Sequence, residues 1–125
     1  LSSNTLKIAY CFHSVEGYSK VGSYVGNGNA DGPFVYTGHR VAWVMIKASS
    51  TTGNWFIVDT VRDPFNPTDD RLYPNLSNAE SDATALDSVS NGFKVRNSWS
   101  DMNTSGQTYI YLAFAEQPFK FANAR

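Results

Sequence analysis

Paired cysteines, clustered basic residues and long apolar runs are all missing from this chain. A single cysteine, Cys11, excludes an internal disulfide. Set in an apolar stretch, it reads as a buried free thiol acting as a small hydrophobe. Lysine and arginine never stand side by side, and the net charge is -1. That leaves no electrostatic footprint for nucleic acid or an anionic membrane. No apolar run, residues 41–46 included, approaches the roughly 20 residues of a membrane-spanning helix. Histidine is confined to His13 and His39, with no second His or Cys at metal-ligand spacing. Neither a metal nor a cofactor is expected. Gly26-Asn27-Gly28 is followed by no Lys-Ser/Thr pair and no helix, so it is not a phosphate loop, and no nucleophile elbow is present. Heptads and low-complexity tracts are absent as well.

What the chain does have is aromatic and strand-forming. Its 125 residues allow one core, and 42% are apolar and 14% aromatic, mostly Tyr and Phe, which favour strands. Strands are expected at residues 6–12, 20–25, 34–36, 41–47, 55–61, 88–90, 93–96 and 108–115. In the second of these, Val21, Ser23 and Val25 share one face, with Gly22 and Tyr24 on the other. Residues 41–47 are apolar on both faces, which suits a central strand between two covering layers. Trp43 and Trp55 in this central hairpin are expected in the core. Asn91-Gly92 is the preferred type I′ hairpin turn. Periodicity is lost over residues 62–87, where Pro64, Pro67 and Pro74 break any ladder. Residues 78–86 could form a helical turn or two, capped by Ser77 or Asn78. The pattern as a whole predicts an all-β, antiparallel β-sandwich of jelly-roll or lectin-like type, with about seven or eight strands.

One stretch of the sequence occurs twice. Ile8 and Phe12 match Ile110 and Phe114 at a constant offset, and a small slip aligns Tyr18-Ser19-Lys20 with Phe119-Lys120. A chain that opens and closes on the same element reads as one unit of a tandem array. Residues 1–14 are then the terminal strand of a preceding repeat, or a strand completing the sandwich, and 15–125 are a single β-sandwich domain.

Several clusters are candidates for chemistry. Asn27-Gly28-Asn29-Ala30-Asp31-Gly32 matches the first half of an EF-type calcium loop. However, Gly38 stands where the bidentate Glu belongs, so a plain Asn/Gly turn is the better reading. Asp59, Asp63, Asp69 and Asp70 are interleaved with Arg62 and Arg71. Two such carboxylates facing across a groove hydrolyse glycosidic bonds, but alternating Asp and Arg more commonly make surface ion pairs. Trp99 lies in Asn97-Ser98-Trp99-Ser100-Asp101-Met102-Asn103, a composition suited to stacking on a sugar ring; the competing reading is a Trp folded back as a lid on the sandwich. A glycan-binding patch would use Trp99, Asp101 and Asn103, together with the loop residues Asn27, Asn29 and Asp31, and these two loops need not adjoin. Phe65, Tyr73 and Phe119 are the candidate oligomer contacts.

The segments Glu16-Gly17-Tyr18-Ser19-Lys20, Asp31-Gly32-Pro33-Phe34-Val35-Tyr36-Thr37-Gly38, Ser90-Asn91-Gly92-Phe93-Lys94 and Tyr109-Ile110-Tyr111-Leu112-Ala113-Phe114-Ala115-Glu116 carry a resemblance. The chain resembles an uncharacterised β domain recurring in tail-fibre-like structural proteins of marine and environmental bacteriophages. That resemblance implies a virion or surface-fibre module and transfers no catalytic residues. Two positions depart from its pattern, His39 where an aromatic and Val41 where a proline would stand. The expectation is a non-enzymatic module that forms a trimer or filament outside the cell, with host-surface glycans as a candidate ligand. A purely structural filament or capsid-decoration subunit is the alternative, with a polysaccharide depolymerase the weakest.

Overall fold

The computed structural model describes residues 6–117. Eight strands form one sheet: β1 (Ser19–Val25), β2 (Phe34–Tyr36), β3 (Val41–Ala48), β4 (Trp55–Asp59), β5 (Thr68–Leu72), β6 (Ser81–Val89), β7 (Gly92–Val95) and β8 (Thr108–Ala115). Their order is β1-β8-β3-β4-β5-β6-β7-β2, and every neighbouring pair is antiparallel. No helix occurs among the described residues. The sheet curls until it nearly closes. Ser88 on β6 donates its hydroxyl to the Val41 carbonyl on β3 at 2.7 Å. At the seam, the Tyr111 hydroxyl on β8 lies 3.5 Å from the Tyr36 carbonyl on β2.

The period-2 alternation of each strand decides which side chains enter the interior. Tyr24, Val44, Ile46, Phe56, Val58, Leu86, Phe93, Val95, Tyr109 and Tyr111 are buried there. Edge-to-face contacts of Phe93 with Tyr24 and Tyr111 tie β7 to β1 and β8 across the interior, the arrangement aromatic quadrupoles favour.

Five local expectations are corrected. Residues 6–12 join no ladder, so Cys11 is exposed and not buried. Residues 78–86 form no helix, since 81–86 open β6; pairing on both sides, with β5 and β7, overrides the local preference of a short Ala/Asp/Ser stretch. The irregular stretch 62–87 conceals β5, whose Thr-Asp-Asp-Arg-Leu sequence is a poor strand former. It is held by polar clips. Asn66, which precedes Pro67 through a cis peptide bond, donates to the Ser88 carbonyl and accepts from the Ser88 N–H. The Thr68 hydroxyl donates to the Leu86 carbonyl at 2.9 Å. The β6–β7 turn is Ser90-Asn91, because Gly92 already pairs with Val89. Gly92 is required for a different reason: a Cβ there would lie 2.1 Å from the Val35 carbonyl oxygen of β2. Finally, Trp43 and Trp55 point away from the interior core, since their registers place them beside Phe114 and Lys47.

Candidate functional site

Two regions stand out: a polar corner at one end of the sheet, which holds the glycan-patch residues, and the sheet's outer face. At the corner, the loop after β1 and the loop before β8 meet. The link is Asn103, which is fully buried. Its amide nitrogen lies 3.0 Å from Asn27 Oδ1, 2.7 Å from the Asn29 carbonyl and 2.6 Å from the Asn97 carbonyl. Its amide oxygen accepts the Asn27 N–H at 2.8 Å. Gly26 permits this approach, because a Cβ there would meet the Thr104 carbonyl at 2.3 Å.

The remaining groups of the corner are also committed internally. Asn27 Oδ1 accepts the Asn29 N–H and Asn29 Oδ1 the Asp31 N–H, two successive Asx turns. The Asp31 carboxylate sits 2.7 Å from Lys94 Nζ; that hydrogen bond and the lysine's charge hold its pKa below the ordinary value. Asp101 Oδ1 accepts the Asn54 N–H at 3.0 Å, which anchors the β3–β4 turn. Asn97 donates to the Thr84 and Ala85 carbonyls and accepts from the Trp99 N–H. Two buried tyrosines pin the same loop, Tyr24 donating to the Met102 carbonyl and Tyr109 to the Ser100 carbonyl. Of the loop oxygens that suggested a calcium site, those of Asn27 and Asn29 serve as turn acceptors and the Asp31 carboxylate pairs with Lys94. Among the described residues, no three His, Cys, Asp or Glu side chains converge as metal ligands.

The structure therefore brings the two loops of the glycan patch together, with Asn103 as their internal clamp. Trp99 is half-buried and packs against the core. The Arg71 guanidinium lies 3.8 Å from its ring centroid, a cation–π contact that covers one face of the indole. Of the oligomer-contact candidates, Phe65 is exposed, whereas Tyr73 is half-buried against the core near Arg71. Phe119 lies outside the described residues.

The acidic segment is likewise engaged locally. Asp59 caps the Val61 N–H, and Asp63 Oδ2 accepts from the Asp69 and Asp70 N–H groups. None of these carboxylates makes the expected Asp–Arg ion pair: Arg62 pairs with Glu80, and Arg71 stacks on Trp99. Asp70 faces Asp82 across the β5–β6 ladder. Partial burial, then the hydrogen bond and charge of Asp82, raise its pKa.

The outer face is where the sequence reading fell short. Cross-strand registers place Val21, Leu112, Met45, Ile57 and Leu72 in one row across β1, β8, β3, β4 and β5. A second row runs Ser23, Ile110, Lys47, Trp55, and a third Ser19, Phe114, Trp43, Asp59. Trp43 and Phe114 pack with ring centroids 5.6 Å apart, and Tyr18 meets Phe114 edge-on at 5.7 Å. Residues 6–14 cross this face as an extended arm. Phe12 touches Phe114 at 6.2 Å. The Ser14 hydroxyl accepts the Val21 N–H at 3.0 Å, and the Ser19 hydroxyl donates to the His13 carbonyl. Leu6, Ile8, Tyr10 and Phe12 nevertheless stay 101%, 82%, 81% and 56% exposed. Between arm and sheet lies an open cleft of about 780 Å³, walled by Ile8, Tyr10 and Phe12 on one side and by Val21, Met45, Trp55, Ile110 and Leu112 on the other. The alternation within residues 6–12 and the two-sided apolarity of β3 were the signals for this surface.

A family model described as a domain of unknown function, DUF7483, matches residues 2–118. The chain belongs to that family. No curated protein and no solved structure matches it.

Proposed function

We propose that this DUF7483 domain is a non-catalytic structural module of a virion appendage of the tail-fibre kind, lying outside the cell and working by assembly with copies of itself. The observation that carries this reading is the apolar row Val21–Leu112–Met45–Ile57–Leu72 on the outside of the sheet. Val21 and Leu72 at the ends of the row are exposed, Met45 and Ile57 are half-buried and Leu112 is buried; with the exposed Ile8, Tyr10 and Ile110 nearby they form an apolar patch of the kind that marks a contact site. In this reading the nearly closed sheet works as a flattened sandwich of jelly-roll or lectin-like kind. One layer is β1, β8 and β3, and the other is β6, β7 and β2, with Tyr24, Phe93 and Tyr111 packed between them. The proximity of the two ends of the sheet supports it.

Glycan binding at the polar corner is the less favoured role. Arg71 already occupies one face of Trp99, and the Asn103 amide has its partners inside the fold. A hydrolytic role for the acidic segment has less support still, because Asp59 and Asp63 accept backbone N–H groups of their own loop. The test is the native mass of the chain by light scattering over a wide range of concentrations. A defined oligomer, or a mass that grows with concentration, is expected. A monomer up to the solubility limit overturns the reading.

A further inference from the structure

The cleft under the arm has two apolar walls and is open between them. On one wall Leu6, Ile8, Tyr10 and Phe12 are still largely exposed; on the other, Val21, Trp55 and Ile110 are partly exposed. At about 150–250 Å² for each aromatic side chain, Tyr10 and Phe12 with the remaining exposed aliphatics of this patch approach the ~800 Å² per partner of a specific interface. The arm also has backbone to offer, since none of residues 6–12 belongs to a ladder.

What fits such a cleft is an extended segment with large apolar side chains at every second position and free backbone groups along its edge. The chain supplies one. Ile8, Tyr10 and Phe12 repeat the spacing of Ile110, Leu112 and Phe114, the central outward column of the same face. Polar or small residues, Lys7, Ala9 and Cys11, alternate with them, so one edge is apolar and the other tolerates solvent.

We infer that the cleft is the seat of the arm of a second copy of this chain. The two arms lie side by side in one layer between the two outer sheet faces, paired as antiparallel strands, so that residues 6–12 of each protomer fill the cleft of the other. The contact is reciprocal, so it closes on a two-fold axis. Apolar burial supplies its strength, and arm-to-arm backbone hydrogen bonds set its register. This inference rests on the assembly reading above and names the surface through which it acts.

The test uses the intact chain with Ile8→Asp and Tyr10→Asp, made separately, and a nitroxide on Cys11, the chain's single cysteine. Both substituted side chains are more than 80% exposed in the monomer, so the thermal unfolding profile of the isolated monomer should stay as it is. Light scattering should give a dimer for the native chain, and each substitution should weaken self-association at least about tenfold, near 1.4 kcal/mol. The labelled native chain should show dipolar coupling between copies that disappears on mixing with excess unlabelled chain. An oligomer indifferent to both substitutions, or a dimer without coupling between labels, overturns the arm contact while leaving the assembly reading intact. An odd number of copies overturns the two-fold arrangement. A monomer at every concentration overturns both readings together.

Discussion

The strands β8, β3 and β4 carry apolar side chains on both faces, and the two faces meet different fates. Inside, Tyr24, Val44, Ile46, Phe56, Tyr109 and Tyr111 are sealed by the far side of the curled sheet. Outside, Val21, Met45 and Ile110 line a cleft under a nine-residue arm, residues 6–14, whose own apolar side chains are exposed among the described residues. The same alternation of residue types has built one closed core and one half-covered surface. The inner face holds the fold together, and the outer face stays partly exposed. Substitutions on the two faces should therefore separate stability from assembly.

The largest stability effect belongs to the inner face. Phe93 is completely buried and is the ring through which β7 meets Tyr24 and Tyr111. Phe93→Ala should cost about 3–5 kcal/mol of unfolding free energy, read from urea titration. Val21→Thr on the outer face keeps the β-branched shape on a half-exposed strand and should change stability by less than about 1 kcal/mol. Equal losses at the two positions would abolish the distinction between the faces.

The polar corner comes next. Asn103→Ala leaves the Asn27 N–H and the Asn29 and Asn97 carbonyls without the partner that now links them. At about 1–3 kcal/mol for stranding buried polar groups, the loss should be near the top of that range. The loops following β1 and preceding β8 should lose amide-exchange protection together. Asn29→Ala removes one exposed Asx turn acceptor and should cost about 0.5–1 kcal/mol, with protection lost on its own loop only.

Much of this architecture was legible in the residues. Alternation located six of the eight strands to within a few positions, and the faces of β1 followed from Val21, Ser23 and Val25 against Gly22 and Tyr24. β5 was not legible, because Asp69, Asp70 and Arg71 form a strand through pairing with β4 and β6 and through the Asn66 and Asp63 clips. Nor was the clamp role of Asn103: an Asn in a polar loop looks the same in sequence whether its amide faces water or three internal acceptors. Trp43 and Trp55 were placed in a core because burial on one face and coverage on the other give the same apolar pattern. Only the register, which sets Met45 between Leu112 and Ile57, distinguishes the two faces.

The outer face also changes character along its length, which gives the smallest and most specific prediction. Two residues before Leu72 on β5, one row over, Asp70 stands opposite Asp82 on β6. Like charges directly across a ladder repel, and the pKa of Asp70 is raised above its ordinary value of 3.8 by partial burial first and by Asp82 next. Folding therefore strengthens proton binding at this site. The folded chain holds more protons than the unfolded one between the ordinary and the raised value, so stability falls as pH rises through that window and is recovered as pH drops below it. Asp82→Asn removes the neighbouring charge but keeps a hydrogen-bonding partner. It should raise the thermal midpoint at neutral pH slightly and flatten the slope of midpoint against pH on the acid side of neutrality. Asp31, with its pKa lowered by Lys94, has the opposite sign: Asp31→Asn should remove a contribution present at neutral pH and lost in acid. An Asp82→Asn profile parallel to that of the native chain would show that the carboxylate pair is screened by solvent and that its facing register carries no energetic penalty.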